Sequence, residues 1–220
     1  MALLLPIALH VASAVSPLRA LSARPPLARA RSSMLDTQAA KRLGVEAISI
    51  PEEGMFGGRP FPLTLSPAHA GELALWADVY RDELLHLVEE YDAILLRGFH
   101  GATTAMDFSN FVHALRLGSF EMGCSAAPRT NIAPGVFTAN EAPPTEPIPF
   151  HHEMAQCAER PEYVIFFCEK PAAAHGATPI IPSHAVVEHL EEHFPAVAQR
   201  YALQTGCRTP MVHIPHRSPI

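Results

Sequence analysis

Residues 148–156 read IPFHHEMAQ, with His151, His152 and Glu153 in succession behind two prolines, Pro147 and Pro149. Imidazole and carboxylate are side chains that bind divalent metals of the first transition row, so it matters which of the three share a direction. In an extended segment residues i and i+2 project to one face and i+1 to the other. His151 and Glu153 then point together, and His152 points away. On a helix the same two would sit about 200° apart and could not hold one ion. Each proline biases the residue before it toward extended backbone, so the spacing predicts a strand here. One imidazole and one carboxylate, joined by a histidine from later in the chain, form the 2-His-1-carboxylate face that leaves positions open on non-haem Fe(II). The tripeptide H-x-E also occurs as an ordinary solvated pair, and its surroundings must decide between the two. His152 is placed as an outer partner of the metal or as part of the pocket wall.

The elements around this pair follow from apolar spacing. Ser66-Pro67 offers an N-cap and first-turn pair, after which Leu73, Trp76, Tyr80, Leu84, Leu87 and Tyr91 recur at helical intervals. AILLRGF, Ala93 to Phe99, is a short apolar run closed by Arg97-Gly98 and predicts a buried strand, with a second helix over about Ala105 to Leu117. Gly118 to Pro149 carries Gly and Pro without periodicity, which predicts a long functional loop with short strand pieces. EYVIFFCE (Glu162 to Glu169) and ATPII (Ala177 to Ile181) read as strands from their β-branched and aromatic content. A last helix starts near Ser183 with Val187, Leu190, Phe194, Val197 and Tyr201 as its apolar stripe, and Pro195 should divide it.

Composition limits the function classes. A 220-residue chain with 48% hydrophobic and 17% charged residues can bury one sizeable core. Its formal net charge of −6 supplies no basic face for nucleic acid, and no apolar run reaches the roughly 18–20 residues of a membrane span. A small-molecule substrate is the expected partner. Cys124, Cys157, Cys168 and Cys207 are widely spaced with no C-x-x-C pair, so they read as buried or free thiols and not as a zinc knuckle or disulfide framework.

The stretch EPIPFHHEMAQCAERPEYVIFFCEKPAAAHGATPIIPSHAVVEHLEEHFP resembles the taurine dioxygenase-like (TauD/TfdA) superfamily, most closely its clavaminate synthase-like branch. LLRGF, Leu95 to Phe99, resembles the core strand that precedes the active site there, and the resemblance extends over roughly residues 93–201. It implies a mixed α and β fold, an incomplete double-stranded β-helix (jelly-roll) with flanking helices. It also implies Fe(II) as cofactor, 2-oxoglutarate as cosubstrate, and oxidation of a small substrate. By the same resemblance His151 and Glu153 are the first two iron ligands, and Thr178 of ATPI binds the 2-oxoglutarate carboxylate. Where the family has Gly-Gly-Glu-Thr-Pro, this chain has His175-Gly176-Ala177-Thr178-Pro179. The family's distal histidine and its 2-oxoglutarate-binding arginine lie beyond Ile220, so the expectation is the N-terminal part of an oxygenase domain, residues 36–220, in a truncated form. His213 and His216 read as solvated or locally bonded and not as substitute ligands, and His175 and His184 as structural or surface histidines. A catalytically inactive truncated paralogue or splice product with weak metal binding is the alternative. A metal-dependent β-barrel hydrolase or isomerase is a third reading, disfavoured by the threonine motif.

Residues 1–35 have a different character. They hold Arg19, Arg24, Arg29 and Arg31 with no acidic residue before Asp36, and MALLLPIALHVASAVS is a short apolar run ending near Ala12-Ser13-Ala14. Sixteen Lys and Arg include these four, so the remaining chain sets 12 basic against 22 acidic residues. An Arg-rich, Ser-containing, acid-free leader has the composition of a transit segment, and a signal-like part ahead of it suits a plastid more than a mitochondrion. The alternative is an untargeted, cytoplasmic chain with a disordered extension or a misassigned start.

Overall fold

In the computed structural model of the chain, the described residues are 40–118, 129–139, 141, 143, 148–153, 161–173 and 177–200, with the backbone alone of 7–11 and 201–204. They belong to two compact units, Met1–Pro179 and Ile180–Ile220. The first is a mixed α and β structure built on a five-stranded sheet. Its strands are β1 (Ile7–Val11), β2 (Val45–Ala47), β5 (Leu63–Pro67), β6 (Ala93–Leu96) and β9 (Tyr163–Phe167), in the order β2-β5-β6-β1-β9. Only β5 and β6 run parallel, and the connection between them carries the helices α1 (Leu73–Val79) and α2 (Arg81–Tyr91). A parallel pair needs such a crossover, since a hairpin turn cannot reverse the chain twice. Between β2 and β5 lies a separate hairpin, β3 (Gly54–Phe56) and β4 (Arg59–Phe61). Gly57 and Gly58 take φ of 56° and 80° in its two-residue turn, a conformation that glycine adopts without steric cost.

AILL is buried at all four positions, as its unbroken apolar character predicts for a strand covered on both faces. The helical stripe is also where the spacing put it: Leu73, Leu84, Leu87 and Tyr91 are buried, and Trp76 and Tyr80 pack against the same core. The helix does not begin at Ser66-Pro67, however. Those two residues end β5, where Ser66 and Pro67 pair with Glu46 and Val45 of β2. Leu63 and Leu65 are buried against the core, so burial and pairing on both edges outweigh a local N-cap signal. The helix begins at Leu73, whose N–H is accepted by the carbonyl of His100 at 2.9 Å, and it breaks at Tyr80. Arg81 starts the second piece and donates from Nε to the carbonyl of Leu115 at 2.6 Å.

Leu115 closes α3 (Ala105–Ala114). This helix opens on a full capping box: the Thr104 hydroxyl accepts from the Asp107 N–H, and Asp107 Oδ2 accepts from the N–H groups of Thr103 and Thr104. The Asp107 carboxyl is held below its ordinary value of 3.8, chiefly by the Thr103 N–H, against the opposing effect of burial and with help from the Thr103 hydroxyl and from Thr104. A carboxyl depressed on folding contributes stability that is present above pH 3.8 and lost as pH falls through the lower folded value. Thr104→Ala should therefore lower the unfolding free energy by about 1 kcal/mol at neutral pH, and less at pH 3. Urea midpoints at the two values check it; equal losses would mean that the box does not act as a unit.

Two short strands remain among the described residues of the first unit. Asn131–Ala133 (β7) and Val136–Phe137 (β8) form a hairpin inside the segment read as a loop with strand pieces. ATPII does not form the expected strand: residues 177–182 have no regular structure, Ala177 to Pro179 are exposed, and Pro179 and Pro182 offer no N–H to a ladder. The second unit holds α4 (Ser183–His193) and α5 (Pro195–Gln204), divided at Pro195 as the proline requires. Its stripe stays open, with Val187, Phe194 and Val197 exposed. Ile7–Val11, within the segment of transit-like composition, pairs on both sides, with β6 and with β9. No helix among the described residues is long and apolar enough to cross a membrane. Cys168 is a half-buried free thiol, and Cys124, Cys157 and Cys207 lie outside the described residues.

Candidate functional site

His151 and Glu153 come together, though not on a strand: residues 148–152 are irregular chain and Glu153 lies in a turn. The strand expectation fails because no neighbouring segment among the described residues pairs with 148–153. The i and i+2 relation survives, with His151 Nε2 and Glu153 Oε2 4.0 Å apart. His151 Nδ1 lies 2.8 Å from the Pro149 carbonyl. A carbonyl only accepts, so Nδ1 is the donor of this contact, and Nε2 is the ring nitrogen that the neutral imidazole would offer to a metal.

Glu153 has a second partner that sequence reasoning missed. Arg129 Nη2 donates to Glu153 Oε1 at 2.8 Å, and the two side chains are only 20% and 19% exposed. Arg129 stands at the base of the β7–β8 hairpin, which is fixed at both ends. At its tip Pro134 sets the first turn residue and Gly135 takes a φ of 71°, and the Pro134 carbonyl accepts from the buried Ser109 hydroxyl of α3 at 2.7 Å. At its base Thr138 N–H bonds the Thr130 carbonyl at 2.9 Å, while Glu141 accepts from the Thr138 hydroxyl at 2.5 Å and the Thr130 N–H at 3.1 Å. The Glu141 carboxyl is lowered by the Thr138 hydroxyl first and Thr130 second. Ala133 and Val136 are buried in the main core, so the hairpin ties the core to Arg129. The one signal for it in the sequence is Pro134-Gly135 between short β-prone runs.

This donor set suits a divalent cation. With metal–ligand bonds of about 2.1 Å, two donors at a right angle stand about 3.0 Å apart, so the 4.0 Å gap closes with a side-chain rotation of about 1 Å. Among the described residues no group of three His, Cys, Asp or Glu gathers, and His151 with Glu153 is a pair. Residues 59–208 match the family described as taurine catabolism dioxygenase TauD, TfdA family. The chain belongs to this family. Over 163 residues, 69% of its length, it is 39% identical to a clavaminate synthase-like protein of Arabidopsis thaliana. That match covers 48% of the relative, so the chain spans about half the length of the curated relative it matches.

Thr178 is exposed in the irregular segment before α4. His152 and His184 are exposed and each has a partner. His175, His213 and His216 lie outside the described residues, as does most of the leader.

Proposed function

We propose that the protein is an Fe(II)/2-oxoglutarate-dependent dioxygenase-type oxidoreductase acting on a small molecule, with His151 and Glu153 as two of the iron ligands and Thr178 as a contact of the 2-oxoglutarate carboxylate. One observation carries this reading: in a chain of the TauD family, His151 has its Nδ1 tied to Pro149 and its Nε2 facing a carboxylate oxygen of Glu153. Bound there, the iron and 2-oxoglutarate would supply the oxidising chemistry, with 2-oxoglutarate consumed to succinate. The protein's own part is to present one nitrogen and one oxygen donor and to orient the cosubstrate through the Thr178 hydroxyl. Ile148 and Phe150 expose apolar surface beside His151 and suit a wall that keeps water from the reacting centre. The five-stranded sheet is read as belonging to an incomplete double-stranded β-helix, a reading that the family match over residues 59–208 supports. The leader's composition supports organellar delivery, while the pairing of β1 favours retention of Ile7–Val11.

Anaerobic titration with 2-oxoglutarate tests the assignment. Binding should require Co(II) or Fe(II), and Thr178→Ala should weaken it about 10-fold, the loss expected for a hydrogen bond to a charged group, with metal affinity unchanged. An unchanged 2-oxoglutarate affinity would remove Thr178 from the site. A second reading, metal binding without turnover, draws support from the two-donor sphere seen among the described residues. Succinate release in the presence of Fe(II) and ascorbate supports the oxygenase; metal-dependent 2-oxoglutarate binding without succinate supports the second reading.

A further inference from the structure

The Glu153 carboxylate is divided between two neighbours. Oε1 accepts from Arg129 at 2.8 Å, and Oε2 faces His151 Nε2 at 4.0 Å. We infer that Arg129 is the positioning residue of the metal centre: by occupying Oε1 it restricts Glu153 to monodentate coordination through Oε2, aimed at the ion that His151 shares. This rests on the metal reading proposed above and adds to it a residue 24 positions upstream in sequence.

A purely stabilising role fits the observations less well. An ion pair about four-fifths buried gains little net free energy, since both charges give up most of their hydration. Arg129 Nε is also buried, with no acceptor among the described residues, a further cost to the fold. Such costs are retained where a side chain must be held in one place for function. Competition with the metal does not fit either, because the guanidinium bonds Oε1 and leaves Oε2, the oxygen 4.0 Å from His151 Nε2, available. The hairpin fixes where the guanidinium sits: Ser109 holds its tip to α3, and Glu141 with Thr130 and Thr138 holds its base. A bidentate carboxylate would take two positions on the ion, whereas a monodentate one leaves the second for a small ligand. Outer partners of this kind orient first ligands and typically contribute 10–100-fold to metal affinity.

Calorimetric titration of the full chain with Co(II) tests the inference. Arg129→Gln should weaken binding about 10–100-fold and should shift the visible absorption of bound Co(II), which responds to the carboxylate's coordination mode. Arg129→Lys keeps the charge but not the planar fork, and should fall between wild type and Arg129→Gln. Urea midpoints report whether each variant folds; if Arg129→Gln does not, a loss of Co(II) affinity in a folded Arg129→Lys carries the test. Wild-type affinity with an unshifted spectrum in a folded variant, or tighter binding, would overturn the positioning role. Glu153→Gln separates the two levels: if it loses Co(II) while Arg129→Gln does not, only the Arg129 inference fails. If it binds as wild type does, both fall.

Discussion

Glu153→Ala should abolish specific uptake of Fe(II) or Co(II), with a loss of at least about 100-fold, beyond the range typical of an outer partner. The carboxylate is one of only two donors that the described residues bring to this place, and its removal leaves a single exposed imidazole. The same substitution strips Arg129 of its counter-charge inside a mostly buried pair, so some destabilisation follows. Glu153→Gln separates the effects, because its amide oxygen still accepts from Arg129 while its charge, and with it most of its affinity for a divalent ion, is gone. The expected order in titration calorimetry is wild type, then His152→Ala close to it, then Glu153→Gln and Glu153→Ala both without specific binding. Equal loss in His152→Ala and Glu153→Ala would place the ion elsewhere.

Phe111→Ala should cost about 3–5 kcal/mol, the range for deleting a buried aromatic ring. Phe111 is fully buried on α3, and its helix neighbour Phe108 stacks on Phe167 of β9 with centroids 5.2 Å apart. Losing that much from a domain whose total stability is about 5–15 kcal/mol would bring it near its unfolding transition at room temperature. The effect should also reach the site. Ser109 of the same helix anchors the hairpin that presents Arg129, so a folded Phe111→Ala protein should bind Co(II) more weakly than wild type. Urea midpoints with and without Co(II) measure both; a shift below about 1 kcal/mol would mean that α3 does not tie the core together.

Much of this arrangement was legible in the sequence wherever one physical signal had no competitor. AILL, a four-residue apolar run closed by Arg97-Gly98, read as a buried strand and is one, and Pro195 divides the last helix because it removes a donor and clashes with the preceding turn. Ser66-Pro67 misled, since Ser-Pro is as good an N-cap signal as any and only the pairing of β5 with β2 and β6 reveals a strand end. The i and i+2 pairing of His151 with Glu153 was legible from type and spacing, although the strand expected to carry it is irregular chain. Arg129 was not legible. Its bond to Glu153 spans 24 residues and depends on a hairpin anchored through Ser109, and no periodicity encodes such a contact.

X-ray absorption at the iron edge of anaerobic, Fe(II)-loaded protein reports whether His151 and Glu153 hold a divalent iron. Wild type should show the outer-shell scattering of an imidazole ring, His151→Ala should lose it, and Glu153→Gln should fail to retain stoichiometric iron. An imidazole signal that persists in His151→Ala, or a wild-type spectrum indistinguishable from hydrated Fe(II), would mean that His151 and Glu153 do not hold the iron.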